Sequence, residues 1–217
     1  MLNKINILDI GLGNINSVYN AFCQIHSKVQ IVTSLDSLAS SSGIVLPGNG
    51  SFFKAMENIK VQNLTKSLVK MIKNEKVPFL GICVGMQILF EDGFEVESCK
   101  GLGLIPGNCQ KILNRQNIKN FRLPHIGWNT VSTNDHNSKL FKNLGDNVDL
   151  YFLNSYRCEL SIDLQSDFKR KPLYSEVTYG EKFMSSIESE NISAVQFHPE
   201  KSHENGLYIL NNWINSH

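Results

Sequence analysis

Short apolar runs at 5–10, 29–32, 44–46 and 77–82 alternate with stretches whose apolar residues recur at helical spacing. Val18, Ala21, Phe22 and Ile25 form one such set, and Leu64, Leu68, Met71 and Ile72 another. Strands joined by helical crossovers pair in parallel, because each crossover returns the chain to the same end of the sheet. The pattern therefore predicts an α/β fold: an open, mostly parallel twisted sheet flanked by helices. Beyond about Gly101 the rhythm changes. Val131 and the runs 150–153, 173–177, 183–187 and 192–197 read as a smaller antiparallel strand region. Ser202 reads as the cap of a closing helix that carries Leu207, Leu210, Trp213 and Ile214 on one face. The polar stretch 161–171 reads as a surface excursion. No repeat or low-complexity linker divides the chain, so residues 1–217 are expected to form a single domain.

Twenty-one basic residues against twenty acidic ones leave a net charge of +1, so no broad field draws nucleic acid or an anionic membrane. No segment approaches the ~20 apolar residues of a membrane span. The first ten residues lack the cationic start and cleavage site of a signal peptide and read as a strand. Cys23, Cys83, Cys99, Cys109 and Cys158 are scattered, odd in number and without a C-x-x-C pair. Neither a disulfide framework nor a zinc site follows, and a reducing cytoplasm is the expected compartment.

One cysteine has a distinctive setting. Gly81-Ile82-Cys83-Val84-Gly85 places glycines two before and two after a nucleophile candidate, between a predicted strand and a predicted helix. Such a turn is too tight for flanking side chains, and it lifts the nucleophile above the end of the sheet. A helix N-terminus there favours thiolate over thiol, and the N–H of Val84 points where an oxyanion would form. A buried structural cysteine on a glycine-rich turn explains this segment equally well.

A thiolate nucleophile needs a general acid for its leaving group, most often histidine. Of six histidines, His198 lies just after an apolar run, in Val195-Gln196-Phe197-His198-Pro199-Glu200. Residues two apart in an extended segment share a face, so Glu200 can reach one ring nitrogen while the other faces Cys83. Pro199 restricts the backbone between them. Taken alone, a strand-end histidine before a surface turn is the simpler reading. Gly11-Leu12-Gly13 invites a dinucleotide reading, but Asn16 occupies the place of the third glycine, and a strand-to-helix turn fits better.

The segments 81–87 (GICVGMQ) and 196–200 (QFHPE) together resemble the class I, or triad, glutamine amidotransferases. The segments 9–17 (DIGLGNINS), 46–50 (LPGNG), 124–129 (PHIGWN) and 151–156 (YFLNSY) narrow the resemblance to the glutaminase subunits of imidazole glycerol phosphate synthases. They run in the family's order from the first strand to the last helix. The resemblance implies that Cys83 attacks the side-chain amide of L-glutamine, that His198 moves the protons and that Glu200 orients the imidazole. It implies oxyanion donors at the backbone N–H groups of Val84 and Asn49. Substrate contacts fall by the same resemblance on Gly48, Gly50, Gln87, Glu95, Asn154, Ser155 and Tyr156. Without the family, Glu95 reads as a solvated acid and 151–156 as an edge strand.

The same resemblance implies a heterodimer with a cyclase-type (β/α)8 barrel synthase subunit that receives the ammonia, no metal or other cofactor, and no nucleic-acid or membrane partner. Asn49 stands where the family commonly has valine, and its peptide can sit flipped until the partner engages. Asparagine's tolerance of left-handed backbone predicts a smaller barrier to that flip here. Asn154 stands where histidine is common, and 157–179 is longer than typical. These departures leave open a paralogue feeding a cyclase-like synthase that builds an amidino group on a bacterial surface sugar. A stand-alone cysteine hydrolase shares the elbow but has no reason to carry the PHIGWN and YFLNSY segments.

Overall fold

The structure is a computed structural model that describes residues 2–38, 41–95, 97–133, 136–161 and 171–217. The first half runs β1 (Ile5–Leu8), α1 (Ile15–Cys23), β2 (Val29–Val32), α2 (Leu35–Leu38), β3 (Gly43–Gly48), α3 (Phe52–Val61), α4 (Thr65–Val69), β4 (Phe79–Cys83) and α5 (Val84–Gln87). It continues as β5 (Phe90–Phe94), β6 (Ser98–Lys100), β7 (Ile105–Lys111), β8 (His125–Ser132), β9 (Asn147–Asn154) and β10 (Tyr156–Leu160). The chain closes with β11 (Leu173–Tyr179), β12 (Glu181–Ser189), β13 (Ile192–Val195), a 3-10 turn (Pro199–Lys201) and α6 (His203–Asn215).

A nine-stranded sheet in the order β2-β1-β3-β4-β13-β12-β11-β8-β9 forms the frame. Its first five strands are parallel and the rest antiparallel. Central strands β1, β3 and β4 are buried along their whole length, as strands covered on both faces must be. Helices supply the cover: Trp213 of α6 meets Phe22 of α1 edge-on at 6.0 Å, and both are fully buried. Each such side chain removed from water contributes roughly 1.5–3 kcal/mol.

The α/β expectation holds, with one difference that matters for the site. The run 192–197 reads in sequence as an antiparallel strand, and β13 does pair antiparallel with β12. Its other edge pairs in parallel with β4, Ala194 opposite Gly81 and Val195 opposite Ile82. The tight β12–β13 turn returns the chain in the direction of β4. Asn191 in that turn locks the register: its side chain donates to the carbonyls of Ile72 (3.0 Å) and Val77 (2.7 Å), and its own carbonyl accepts the Phe79 N–H at 2.9 Å. The carboxyl ends of β4 and β13 therefore lie side by side, the edge at which open α/β sheets hold ligands.

The smaller antiparallel region expected from sequence is present as a second, mostly antiparallel sheet, β10-β7-β5-β6, although the runs named for it lie in the large sheet. The inward positions of β7 are Ile105, Gly107 and Cys109, only one of them a large apolar residue, so the alternation is muted. Ser202 does precede α6, but its hydroxyl makes no cap bond. Most of the expected excursion at 161–171 lies outside the described residues. No helix among the described residues is long and apolar enough to cross a membrane.

Candidate active site

Cys83 ends β4 and Val84 starts α5, so the chain reverses at the sulfur-bearing residue itself. Cys83 adopts φ 53° and ψ −108°, a conformation costing ~1–3 kcal/mol that persists only where its surroundings impose it. The surroundings are the two glycines. A Cβ on Gly81 would lie 2.5 Å from the Gly85 carbonyl oxygen, and one on Gly85 would lie 1.9 Å from the Leu46 carbonyl oxygen. The steric requirement read from the sequence is met at both positions. Helix α5, however, spans only four residues, so its dipole is a weak support for an anionic sulfur.

His198 follows β13 at the same edge. Its Nδ1 lies 2.7 Å from Glu200 Oε1, and both side chains are buried. Glu200 does not reach the ring by strand alternation: the 3-10 turn Pro199–Lys201 brings the carboxylate back beneath the imidazole. The backbone of His198 is fixed on both sides, its N–H donating to the Tyr151 carbonyl at 2.8 Å and its carbonyl accepting from the Ser202 hydroxyl at 2.7 Å. Nε2 is buried and, apart from the Cys83 sulfur beside the ring, has no partner among the described residues. Burial pushes the imidazole pKa down, but the neighbouring Cys83 sulfur and the Glu200 carboxylate outweigh it and raise it to about 10.

Beside the imidazole, two further polar groups among the described residues touch the Cys83 sulfur. Sγ donates to the Leu153 carbonyl at 3.8 Å and accepts from Gln196 Nε2 at 3.6 Å. Gln196 is absent from the residues singled out by sequence, although an amide inside the apolar run 192–197 was a signal available there. It is fully buried.

The remaining expected site residues fall in two groups. Gln87, buried, donates through Nε2 to the Tyr156 carbonyl (3.4 Å) and to Gln196 Oε1 (3.1 Å). Asn154 Nδ2 donates to the same Tyr156 carbonyl at 3.0 Å, and the Ser155 carbonyl accepts the Ile112 N–H at 3.0 Å. Tyr156 donates its hydroxyl to the Glu95 backbone carbonyl at 3.2 Å, and Glu95 Oε2 accepts the Phe52 N–H at 2.8 Å. Desolvation raises the Glu95 pKa against the backbone N–H groups of Phe52 and Phe53. Gln87, Glu95 and 154–156 thus form one connected wall.

On the other side, Gly48 pairs in register with Cys83, and Gly48, Asn49, His198 and Glu200 line one cleft. The positive φ of this turn belongs to Gly50 (151°), while Asn49 is exposed. Gly13 backs directly onto the turn: a Cβ there would lie 2.7 Å from the Asn49 nitrogen. Gly13 therefore serves a strand-to-helix turn packed against the Gly48–Asn49 peptide, while Gly11, at φ 77°, faces Asn58. The larger clefts around Glu188 and around Arg157 contain none of these groups. A cysteine sulfur, an imidazole oriented by a carboxylate and a glycine-bearing turn lining the same cleft are groups that acyl transfer from an amide can use.

A family model described as glutamine amidotransferase class-I matches residues 6–216. The imidazole glycerol phosphate synthase subunit HisH of Methanocaldococcus jannaschii is 38% identical over 210 residues, covering 97% of this chain and 98% of that protein. The chloroplastic imidazole glycerol phosphate synthase hisHF of Arabidopsis thaliana is 37% identical over 97% of this chain, which spans only 34% of that longer protein. Among solved structures, PurLQS from Thermotoga maritima superposes with a TM-score of 0.73 at 16% identity, over 100% of this chain and 99% of that one. A putative GMP synthase component from Thermoplasma acidophilum does so with 0.69 at 20% identity, over 99% and 94%. At those identities the structural likeness concerns the fold.

Proposed function

The chain belongs to the class I glutamine amidotransferases, and on that premise we propose that it is the glutaminase subunit of an imidazole glycerol phosphate synthase in histidine biosynthesis. It hydrolyses L-glutamine to glutamate and ammonia and passes the ammonia to a cyclase partner. The observation that carries the reading is the meeting, at one sheet edge, of the Cys83 sulfur and an imidazole held near pKa 10 by that sulfur and by Glu200. Residues 1–217 act as one such domain, a reading supported by a single family model over 6–216 and one contiguous core.

In the forward step the sulfur adds to the carboxamide carbon, and the oxyanion turns toward the N–H groups of Val84 and Asn49. His198, an imidazolium, gives its Nε2 proton to the departing ammonia, and a γ-glutamyl thioester remains. Acylation removes the charge on sulfur, and with it a main support of the raised imidazole pKa. The ring is then neutral and takes a proton from water, which attacks the thioester and releases glutamate and the thiolate. Glu200 keeps the ring's orientation throughout. Gln87, Glu95 and the 154–156 wall, with Gly48 and Gly50 opposite, hold the substrate's amino-acid end.

The cyclase barrel docks, in this reading, on the face of β8 and β9. Ile126 and Trp128 there are 60% and 48% exposed, and Trp128 stacks on His203 at 5.2 Å. This face adjoins Leu153, whose carbonyl touches the sulfur, so ammonia leaves next to the partner. The single-chain Arabidopsis relative, whose name joins both activities, supports a cyclase partner. A free thiol nucleophile suits the cytoplasm, and all five cysteines are free.

Co-purification with candidate barrel subunits, followed by glutaminase assays with each acceptor present, tests the proposal. The expected result is glutamine hydrolysis stimulated by the cyclase and abolished in Cys83→Ala. Stimulation only by a cyclase-like synthase acting on a surface sugar would move the client to that pathway. Hydrolysis that survives in Cys83→Ala would remove Cys83 as the nucleophile and the triad with it.

A further inference from the structure

We propose that Gln196 is a catalytic residue, the side-chain donor that holds the Cys83 sulfur as a thiolate, with its polarity dictated by the Tyr156 carbonyl through Gln87. The inference rests on Cys83 being the nucleophile.

The order of the relay follows from what each atom can do. A backbone carbonyl only accepts, so the end of Gln87 that faces the Tyr156 carbonyl at 3.4 Å is its amide nitrogen. The same nitrogen reaches Gln196 at 3.1 Å, and the atom receiving its second hydrogen must be Oε1. That leaves Nε2 of Gln196 facing Cys83 Sγ at 3.6 Å, as a donor. Rotating either amide by half a turn would set donor against donor or acceptor against acceptor. Gln196 is 0% exposed, so no solvent can compensate such an error.

The sulfur sits between opposed preferences. The Leu153 carbonyl at 3.8 Å accepts from a thiol and repels a thiolate. The Gln196 N–H prefers the anion, since hydrogen bonds to charged groups are the stronger ones. Among the described residues it is the one side-chain amide donating to the sulfur, and the four-residue α5 adds little. The proton balance is simple. The S–H bond of Cys83 breaks, an N–H bond forms at His198 Nε2, and Gln196 stabilises the anion left behind. The Tyr156 carbonyl that sets the relay belongs to the substrate wall, so glutamine binding there and the state of the sulfur share one hydrogen-bond chain.

The test is a pH titration of ultraviolet thiolate absorbance in the full chain, taken as the difference between each protein and its Cys83→Ser counterpart. Gln196→Leu removes the donor at similar volume. Gln196→Glu keeps the acceptor that Gln87 needs but presents an oxygen to the sulfur, and it serves if the leucine variant does not fold. In both variants the thiolate midpoint is expected to rise by about one to two pH units, as a charged hydrogen bond requires. At neutral pH kcat is expected to fall about ten- to hundredfold with KM changed far less. A midpoint equal to wild type in a folded variant overturns the role of Gln196 and leaves the nucleophile in place. A wild-type chain with no titrating signal from Cys83 overturns both.

Discussion

The hydroxyl of Ser202 donates to the backbone carbonyl of His198 at 2.7 Å while accepting the Tyr151 N–H at 3.0 Å. One buried oxygen thus pins the catalytic turn to β9, and the His198 N–H returns to the Tyr151 carbonyl at 2.8 Å. Ser202→Ala leaves the Tyr151 N–H without that acceptor, while the His198 carbonyl keeps only the Lys201 N–H at 3.0 Å. The expected cost is about 1–3 kcal/mol of stability by urea denaturation. Steady-state kinetics of glutamine hydrolysis should show kcat falling more than KM rises.

The imidazole of His198 titrates at about 10 in the folded chain against an ordinary histidine value of 6.5. Because the folded value is the higher one, its contribution to stability is complete below the unfolded pKa and is lost as pH rises through about 10. The kcat/KM profile of the free enzyme should therefore keep its alkaline limb near that value. Glu200→Gln removes one of the supports and should draw the limb to lower pH. An unmoved limb in that variant would deny Glu200 its electrostatic role.

His125 is shifted the other way. It lies stacked between Phe152 (5.1 Å) and Tyr179 (4.0 Å), and burial lowers its pKa to about 4. A depressed value stabilises the fold above the unfolded pKa near 6.5, and that contribution disappears as pH falls through about 4. Thermal melts from neutral to acid pH should show the decline, and His125→Phe, which has nothing to protonate, should flatten it.

Gly85→Ala places a methyl 1.9 Å from the Leu46 carbonyl oxygen, and Gly81→Ala places one 2.5 Å from the Gly85 carbonyl oxygen. Neither obstacle is a flexible side-chain end, so the backbone must move. Losses of about 3 kcal/mol or more are expected, the upper part of the range for overpacking. Glutaminase activity should vanish in whatever fraction still folds, as read by calorimetry beside a glutamate-release assay.

Trp128→Ala tests the docking face. The indole is half exposed and stacked on His203, the kind of preorganised aromatic that dominates interface energetics. Affinity for the barrel partner is expected to drop by about 2 kcal/mol or more, roughly thirtyfold, in a calorimetric titration. Hydrolysis without the partner should persist, since the ring touches none of the catalytic atoms.

The elbow was legible because it depends on residue types at fixed spacing, Gly81 and Gly85 around Cys83, and two backbone carbonyls in the fold impose that need. The parallel strands were legible because continuous apolar runs such as 44–46 and 77–82 mark burial on both faces. What escaped depends on distant partners. The parallel edge of β13 is decided by which strand waits beside it, and 192–195 alone carries no sign of β4. Strands β5 to β7 bury glycine and cysteine where a pattern search expects branched residues. Ser202 was placed correctly in the chain, but its hydroxyl serves Tyr151 and His198 instead of the helix end it precedes. Gln196 looks like a polar interruption in an apolar run until the sulfur and Gln87 stand on either side of it.

The Asn191 clamp sits at the opposite end of β13 from the chemistry, yet it decides which rung of one ladder faces which rung of the next. Cys83 and His198 follow adjacent rails of the same frame, so loosening a distant surface loop does not separate them. Once the Ser202 and Tyr151 contacts hold the turn after β13, separating the two strands is the remaining way to part them, which ties the loss of their alignment on heating to the cooperative melting of the frame itself.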